Sequence, residues 1–321
     1  MDYSVIVPVY NRPDEIDELL HSLTNQTYKD FEVIIIEDGS DLRCDHIVEE
    51  YSDQLIIQYF YKTNSGQGFS RNFGFKKAKG DYFIVFDSDC LVPPHYFEAV
   101  NRALTFHGYD AWGGPDRAHS SFTPIQKAIS YSMTSFFTTG GIRGRKNHIG
   151  TFHPRSFNMG ISREVYEKTG GYRITRMGED IEFSLRIIEN DFKTGLIEGA
   201  YVYHKRRTDF KQFYRQLHFF GRARINIKRL YPEELKFVHL LPVFFVIGLP
   251  FFLILTVAAK GFLSKLILLY PAYATVLFVD AFRTEKNIKI SLLGVIAGFI
   301  QLTAYGIGFL KELSKDYKKS T

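Results

Sequence analysis

Four short apolar runs near the start of the chain constrain its fold more than any other feature. They are residues 3–10, 31–36, 55–61 and 81–86. Runs that are apolar on both faces are typical of strands buried inside a parallel sheet. Between the first two runs, apolar residues recur at i, i+3, i+4 and i+7 from Ile16, which indicates a helix. This alternation predicts an α/β fold with a mostly parallel sheet and flanking helices.

Acidic residues stand where two of these predicted strands end. Asp87 and Asp89 follow the fourth run on either side of Ser88, and Glu37 and Asp38 close the second. In open α/β sheets, ligands bind at the carboxyl ends of the strands. Two like charges this close are tolerated more easily when a divalent cation joins them to phosphate oxygens. The spacing of Asp87 and Asp89 therefore predicts a site for a metal ion and a diphosphate.

Three other residues each have a functional and a structural interpretation. Asp38 suits a hydrogen bond from a uracil or a ribose, but Asp-Gly is also a favoured turn pair. Arg71, on the predicted helix before the fourth run, suits a phosphate, a site carboxylate or a plain surface position. His204 ends a predicted strand and suits a metal ion through its neutral imidazole, although a single histidine is more often structural.

A pair of acids, Glu179 and Asp180, begins the helix predicted at 178–191. Transfer of a group to a hydroxyl needs a general base near the oxygen of that hydroxyl, and a carboxylate is suited to this role. A helix N-terminus also favours the ionised form of an acid, which keeps it ready to accept a proton. Simple helix capping is the alternative interpretation of this pair.

The last third of the chain contains three long apolar segments, residues 238–258, 262–282 and 290–310. The first has no Asp, Glu, Lys or Arg, and as a helix it would extend about 31 Å, the thickness of a bilayer core. The second carries Lys265 and Asp280 near its ends. Three such segments in succession predict a membrane anchor at residues 236–311.

Basic residues flank this anchor. Residues 205–229 contain nine Lys or Arg and one Asp, with aromatic residues between them, which is typical of a segment at a membrane surface. We therefore predict an amphipathic interfacial segment at 205–235 and a basic tail at 312–321. Three full crossings from a cytoplasmic start would place that tail outside, against the positive-inside rule. One of the three segments would then be re-entrant or interfacial, and the sequence does not decide which.

Five motifs, in this order, resemble those of family-2 glycosyltransferases with a GT-A fold. They are VIVPVYNR, IIIEDGS, NSGQGFSRNFGFKKAKGDYFIVFDSDC, FNMGISREVYEKTGGY and GEDIEFSLRI. The resemblance extends over about residues 3–204 and implies a nucleotide-sugar-binding catalytic domain at 1–204. It also implies that the anomeric centre is inverted in a single displacement.

The resemblance implies roles for individual residues by their positions in these motifs. Residues that match nucleotide-binding positions are Pro8, Tyr10, Glu37 and Asp38, and Arg71, Asp87 and Ser88 join them as donor-binding candidates. Asp87 and Asp89 match the DxD motif, which binds the diphosphate through Mg²⁺ or Mn²⁺, and His204 is a further candidate ligand. Asp180 matches the catalytic base. The expected acceptor region comprises Asn158, Gly160 and Glu179.

One motif departs from the family pattern, and it concerns the processive synthesis of a long polysaccharide. Processive members carry a Gln-x-x-Arg-Trp motif on an interfacial helix, whereas here Gln216 is followed by Phe219 and Phe220, and the only tryptophan is Trp112. A non-processive enzyme is therefore expected.

Together these inferences predict a membrane-anchored enzyme that moves a sugar from a nucleotide-sugar, expected to be UDP-linked, to a hydroxyl. The expected partners are that donor, a saccharide or lipid-linked acceptor of cell-surface polysaccharide or glycolipid synthesis, and membrane lipids, but no nucleic acid. Because no secretory signal peptide is predicted, the catalytic domain is expected on the cytoplasmic side of a bacterial inner membrane. The alternatives are a polyprenyl-phosphate sugar synthase and a non-catalytic sugar-nucleotide-binding membrane scaffold.

Overall fold

The computed structural model describes residues 2–141, 152–259 and 261–320, with side chains up to residue 315. These residues form two compact units. The first comprises residues 2–119 and 152–205, and the second comprises 120–141 and the described residues from 206 onward. The side chains of Lys318 and Lys319, in the predicted basic tail, lie outside the described residues.

Two sheets organise the described part of the first unit. The strands are β1 (Tyr3–Val9), β2 (Phe31–Asp38), β3 (Ile56–Lys62), β4 (Tyr82–Phe86), β5 (Cys90–Leu91), β6 (Ala111–Gly113), β7 (Asp116–Arg117), β8 (Asn158–Ser162), β9 (Thr194–Leu196) and β10 (Val202–His204). The larger sheet has the order β3-β2-β1-β4-β8-β6-β9, and the smaller has the order β5-β10-β7. Strands β1 to β4 are parallel, whereas β8 runs antiparallel to both of its neighbours.

Both faces of β1, β2 and β4 are buried, as their continuous apolar runs predict, whereas β3 at the edge of the sheet is partly exposed. On β1, Val5 and Val7 belong to one hydrophobic cluster, whereas Ile6 between them belongs to another on the opposite face. On β4, Ile84 and Val85 divide between the same two clusters. Because successive strand residues point to opposite faces, this division shows helices or loops covering both sides.

Helices and connections supply these covering layers in the first unit. They include α1 (Pro13–Thr24), α2 (Asp45–Glu50), α3 (Gln67–Lys77), α4 (Tyr96–His107), α7 (Arg163–Thr169) and α8 (Glu179–Glu189). Helix α1 begins with Pro13 at its N-terminus and buries Ile16, Leu19, Leu20 and Leu23, the apolar positions noted in the sequence. The mostly parallel sheet with flanking helices confirms the predicted fold class.

Helices make up the second unit. They are α5 (Pro124–Thr134), α6 (Phe136–Thr139), α9 (Phe210–Leu230), α10 (Leu241–Ala258), α11 (Leu269–Glu285) and α12 (Ile288–Ser320), with short 3₁₀ turns at Pro232–Glu234, Phe237–Leu240 and Leu263–Leu268. Residues 120–141 precede residue 204 in the sequence, yet they cluster with these C-terminal helices.

Three stretches of this unit are long and apolar enough to cross a membrane. They are Phe237–Ala258, Leu263–Glu285 and Ile288–Lys315, which correspond to the three apolar segments of the sequence. The expectation of three C-terminal hydrophobic helices is therefore confirmed.

We expect Gly160→Ala to destabilise the first unit by about 1–3 kcal/mol, because a Cβ at Gly160 would overlap the fully buried ring of Trp112. The loss would be measured as a lower melting temperature of the purified chain. Trp112→Ala removes the ring that the new Cβ meets, so Gly160→Ala should be less harmful in that background. An equal loss in both backgrounds would contradict the contact.

Candidate functional site

The polar residues noted in the sequence follow three neighbouring parallel strands. Strands β2, β1 and β4 lie side by side, with Val5 opposite both Val33 and Ile84. Asp38 ends β2, residues 10–12 follow β1, and Asp87 and Asp89 follow β4. Since parallel strands end at the same edge, the structure brings these groups to one edge of the sheet.

Asp89 is held between two basic side chains. Its Oδ2 accepts a 2.6 Å hydrogen bond from Arg12 Nη1, and its Oδ1 lies 3.0 Å from His204 Nε2. Burial by itself raises the pKa of Asp89, but the charge and hydrogen bonds of His204 and Arg12 outweigh it and hold that pKa well below its ordinary value. Asp89 is therefore a carboxylate over the whole physiological pH range.

Asp87 pairs with a different cation, Arg71. Arg71 Nη2 donates a 2.8 Å hydrogen bond to Asp87 Oδ1, while Arg71 Nη1 lies 3.5 Å from Glu179 Oε1. The guanidinium is almost fully buried and also lies 5.4 Å from the ring centre of Tyr172. Arg71 thus links the strand-end acid Asp87 to the first turn of α8, which excludes the surface interpretation.

These contacts change the electrostatic argument about the two aspartates. The sequence suggested that Asp87 and Asp89 tolerate each other because a divalent cation bridges them. In the structure each has its own guanidinium partner, Arg71 for one and Arg12 for the other. The mutual repulsion is therefore offset by side chains of this chain, and any metal ion adds to an already balanced site.

Asp38 is a buried hydrogen-bond acceptor at the end of β2. Its carboxylate accepts hydrogen bonds from the backbone N–H groups of Ser65 and Gly66 at 2.9 and 2.8 Å and forms an ion pair with Lys62. Burial opposes ionisation, but the hydrogen bonds from Lys62 and Ser65 prevail and lower the pKa of Asp38. Asp38 therefore orders the loop before α3.

Glu37 lies on the opposite face of β2 from Asp38 and is fully buried. It accepts hydrogen bonds from Ser40, from Cys44 N at 2.9 Å and Sγ at 3.0 Å, and from Tyr59 at 3.3 Å. These contacts fix the turn that follows β2. Its predicted contact with the nucleotide stays a prediction.

The remaining donor-binding candidates lie near the same edge with different exposure. Pro8 is on β1, paired in register with Ile36. Tyr10 follows that strand and is 51% exposed, whereas Ser88 is buried between the two aspartates. Only Tyr10 of these three presents a large, open side chain on which a base can stack.

The two acids that begin α8 differ in environment. Glu179 is buried, accepts a hydrogen bond from Gln67, and has its pKa raised by burial and by the charge of Asp180, with Arg71 acting against this shift. Asp180 retains a side-chain exposure of 21%, and its Oδ2 lies 3.4 Å from Arg155 Nη1. Asp180 is thus the acid of the pair that a bound acceptor can reach.

Two predicted acceptor residues lie in the sheet interior. Asn158 is fully buried, accepts a 2.6 Å hydrogen bond from Tyr96 and donates one of 2.7 Å to the carbonyl of Ala200. Gly160 pairs in the middle of the sheet and packs beneath Trp112. Both positions therefore have a packing role, and Asn158 pairs with Phe86, the residue directly before Asp87. Their assignment to the acceptor region stays a prediction.

One group of described side chains could hold a metal ion. Ligand atoms of Asp89, Cys90 and His204 lie within 4.8 Å of one another. Neighbouring ligands of an octahedral ion bound at about 2.1 Å are about 3 Å apart, which is the separation of Asp89 Oδ1 and His204 Nε2. Carboxylate and imidazole suit Mn²⁺ and, less strongly, Mg²⁺, whereas a thiol suits softer metals. Asp89 and His204 therefore fit the expected ion, and Asp87, engaged with Arg71, remains only a predicted ligand.

Sequence reasoning missed several basic partners of these acids. They are Arg12 on Asp89, Lys62 on Asp38 and Arg155 on Asp180. Arg12 had a usable signal, because it follows the first predicted strand and therefore had to lie at the ligand-binding edge. Arg155 had none, since it stands 25 residues from Asp180 in an irregular stretch.

Comparisons of the sequence place the first unit among glycosyltransferases. The model of glycosyl transferase family 2 matches residues 4–170, more than half of the chain. An uncharacterized glycosyltransferase of Haemophilus influenzae is 43% identical over 193 residues, which cover 58% of this chain and 62% of that protein. An uncharacterized glycosyltransferase of Rickettsia bellii is 43% identical over 88 residues, 27% of this chain and 13% of that one. The chain thus spans less than two thirds of the length of these relatives.

Solved structures show the same fold at low sequence identity. The mannosyltransferase PcManGT of Pyrobaculum calidifontis, in complex with GDP-Man and Mn²⁺, superposes with a TM-score of 0.66 at 16% identity, covering 93% of this chain and 86% of that one. Residues 1–349 of TarS from S. aureus, in complex with UDP-GlcNAc, give a TM-score of 0.51 at 19% identity, covering 100% and 93%. These likenesses confirm the predicted GT-A type of fold.

We expect Arg71→Met to lower the free energy of unfolding by about 3–5 kcal/mol, because Glu179 would lose its buried cation. Urea unfolding at neutral pH would measure the loss. The deficit should shrink as the pH falls towards the ordinary pKa of glutamate, since a protonated Glu179 needs no cation.

A double-mutant cycle provides the control for this prediction. In a Glu179→Gln background, Arg71→Met should destabilise the chain by clearly less, because only the partly exposed Asp87 then loses its cation. Equal losses in the two backgrounds would contradict the buried Arg71–Glu179 pair.

Proposed function

This chain belongs to glycosyl transferase family 2, and we propose that it transfers a sugar from a nucleotide-sugar to an acceptor hydroxyl with inversion of the anomeric centre. The observation that carries the proposal is the convergence of Asp38, Asp87 and Asp89 at the common edge of three parallel strands. A diphosphate with its cation and a nucleoside are the ligands that such an edge suits.

Sugar transfer needs one bond to form and one to break. The acceptor oxygen attacks C1 of the donor sugar, the bond from C1 to the diphosphate oxygen breaks, and the nucleoside diphosphate leaves with the bonding electrons. Asp180 takes the proton of the acceptor hydroxyl as its oxygen attacks. The partial exposure of Asp180 at the N-terminus of α8 supports this role, because the side chain is accessible to a bound acceptor.

The charged residues of the edge have separate tasks in this proposal. Asp38 accepts hydrogen bonds from the uracil or ribose of a UDP-linked donor, and Tyr10 offers its exposed ring to the base. Asp89 and His204 would hold Mg²⁺ or Mn²⁺, which when bound supplies positive charge against the leaving diphosphate. The complex of the Pyrobaculum neighbour contains Mn²⁺, which supports the use of a divalent ion in this proposal.

We further propose that the enzyme works at a bacterial membrane and uses a lipid-linked or other saccharide acceptor. The apolar helices α10 and α11 support the location, because most of their large side chains are exposed in the chain by itself. The basic, aromatic helix α9 supports an acceptor with an anionic lipid headgroup, since Lys and Arg attract such groups. Absence of a Gln-x-x-Arg-Trp motif supports transfer of a single sugar.

We expect Asp180→Asn to bind the donor normally but to turn over at least about a hundredfold more slowly, because the general base is lost. Release of nucleoside diphosphate and donor binding by calorimetry would measure the two effects. Glu189→Gln, at the exposed end of the same helix, is the matched control and should retain full turnover.

Near-normal turnover of Asp180→Asn would contradict the base assignment. It would favour the polyprenyl-phosphate sugar synthase, whose phosphate acceptor is already ionised and needs no strong base. A wild-type chain that neither transfers nor slowly hydrolyses any UDP- or GDP-sugar with Mn²⁺ present would favour the non-catalytic scaffold instead.

We expect Asp89→Asn to weaken binding of Mn²⁺ with UDP by tenfold or more, because the variant loses the one carboxylate of the proposed ligand pair. Titration of free Mn²⁺ by electron paramagnetic resonance would measure the affinity without activity. Asp45→Asn removes an exposed carboxylate paired with Arg43 and should leave the affinity unchanged. Equal affinities in Asp89→Asn and the control would exclude Asp89 as a ligand.

A further inference from the structure

We propose that only two of the three membrane-length stretches enter the lipid, α10 and α11, and that α12 lies along the membrane surface. The C-terminal end of α12 would then stay on the same side of the membrane as α9. This inference rests on the proposed membrane location and not on the proposed sugar transfer. It addresses the topology that the sequence left undecided.

The three stretches are all apolar enough to cross a membrane, but they differ in how many of their residues are buried within the chain. In the most apolar 18-residue window of each stretch, the share of buried residues is 6% for Phe237–Ala258 and 11% for Leu263–Glu285. For Ile288–Lys315 it is 50%. On α10, large apolar side chains such as Phe244, Ile247 and Phe251 are about half exposed. Helices that lack protein neighbours on most faces need lipid to cover them. In the window of α12, by contrast, half of the residues are buried, and the helices that cover α12 are α5, α9, α10 and α11.

Helix α9 covers one side of α12 at very short range. A Cβ on Gly221 of α9 would overlap the backbone of Tyr305 on α12, and one on Gly308 of α12 would overlap the backbone of His218 on α9. Close backbone contact of this kind requires glycine at the crossing. Helices packed at this distance share one environment over the length of their contact.

An ion-pair cluster extends this contact towards the end of α12. Glu312 accepts hydrogen bonds from Arg222 Nε at 2.9 Å and Arg229 Nη2 at 3.2 Å, both on α9, and from Lys315 at 3.2 Å. At the other end, Phe213 of α9 and Ala297 of α12 belong to one buried cluster. From Ala297 to Glu312 the contact covers about 22 Å of α12, most of a bilayer core.

The charge of α9 excludes this pair from the hydrocarbon. Lys211, Arg215 and Arg229 are exposed, and Arg222 and Lys228 are half-buried. If α12 crossed the membrane, several of these groups would enter the bilayer beside it, each at about 2.5–3.5 kcal/mol near the centre. One ion-pair cluster at the end of the helix does not offset this sum, so α9 and α12 belong at the surface.

Helix α5 supplies α12 with a second polar neighbour. Ser132 donates a 2.8 Å hydrogen bond to Gln301 Oε1, and Gln301 Nε2 donates one of 3.2 Å to the carbonyl of Thr138. Gly294, earlier on α12, packs against the ring of Tyr131. The polar helices α5 and α9 therefore each cover part of α12, and the apolar helices α10 and α11 cover other parts.

The face of α12 that remains open is apolar. Ile288, Leu292 and Ile296 recur at four-residue intervals, which places them on one side of the helix, and each is about half exposed or more. A surface helix with protein on one side and an apolar stripe on the other fits the boundary between headgroups and acyl chains. This placement also keeps Lys311 and Lys315 beside the basic residues of α9, in agreement with the positive-inside rule.

Single cysteines would test this topology in the full chain. The variants are Arg215→Cys on α9, Ser314→Cys on α12 and Lys265→Cys between α10 and α11, all at exposed positions. Membrane vesicles of both orientations would be treated with a membrane-impermeant maleimide. The parent chain is the control, because its two cysteines, Cys44 and Cys90, are buried.

Arg215→Cys and Ser314→Cys should be labelled from the same face of the membrane. Lys265→Cys should be labelled from the opposite face, or only after detergent is added. Labelling of Ser314→Cys from the face opposite to Arg215→Cys would establish three crossings and overturn the inference. Labelling of Lys265→Cys from the same face as Arg215→Cys in intact vesicles would also overturn it.

The proposed membrane location and the proposed topology can be tested separately. A chain that alkaline carbonate removes from membranes would contradict the proposed membrane location, and the inference with it. Opposite labelling of Arg215→Cys and Ser314→Cys in a chain that resists carbonate would contradict the topology alone. Loss of sugar transfer in any variant would bear on neither.

Discussion

The pairing of carboxylates with cations at the carboxyl edge of the sheet is the interaction on which the first unit depends. Asp87, Asp89 and Glu179 lie near one another, and because Asp89 and Glu179 are buried, like charges there repel more strongly than in water. Arg71 and Arg12 offset that repulsion from within the chain. The edge is therefore ordered before any ligand arrives, which reduces the reorganisation that binding a diphosphate requires.

The buried sheet makes this arrangement possible. Because β1, β2 and β4 are covered on both faces, their ends cannot shift without disturbing two hydrophobic clusters at once. A strand end held in this way places its next residue within a narrow range of positions. The positions of the charged side chains at the strand ends therefore depend on the packing of core residues such as Val5 and Ile84.

Prediction from the sequence succeeded where the signal was local. The apolar runs and the helical spacing from Ile16 located strands and a helix, because periodicity reports directly which faces are buried. The strand ends then placed Asp38, Asp87 and Asp89 at one edge. Asn158 shows the limit of this reasoning, since its motif position did not reveal that its side chain is fully buried and hydrogen-bonded to Tyr96 and to the carbonyl of Ala200.

The cations that pair with these acids could not be predicted from local sequence patterns. Arg12 is 77 residues from Asp89, and Arg155 is 25 residues from Asp180, so spacing along the chain carries no information about either pair. The topology of the membrane helices poses the same difficulty. Hydropathy ranks the stretches by composition, whereas their lipid exposure depends on which helices pack against them.

The amino-acid sequence by itself determined the α/β class, the strand ends that carry the acids and the three apolar stretches of the last third. Each of these follows from the pattern of apolar and charged residues over a few turns or strands, which is a local property. Only the tertiary structure decided that Arg12 and Arg71 compensate Asp89 and Asp87 separately, and that α12 is covered by α9 and α5. Those outcomes depend on contacts between residues far apart in the chain, and such contacts exist only after the strands and helices have packed.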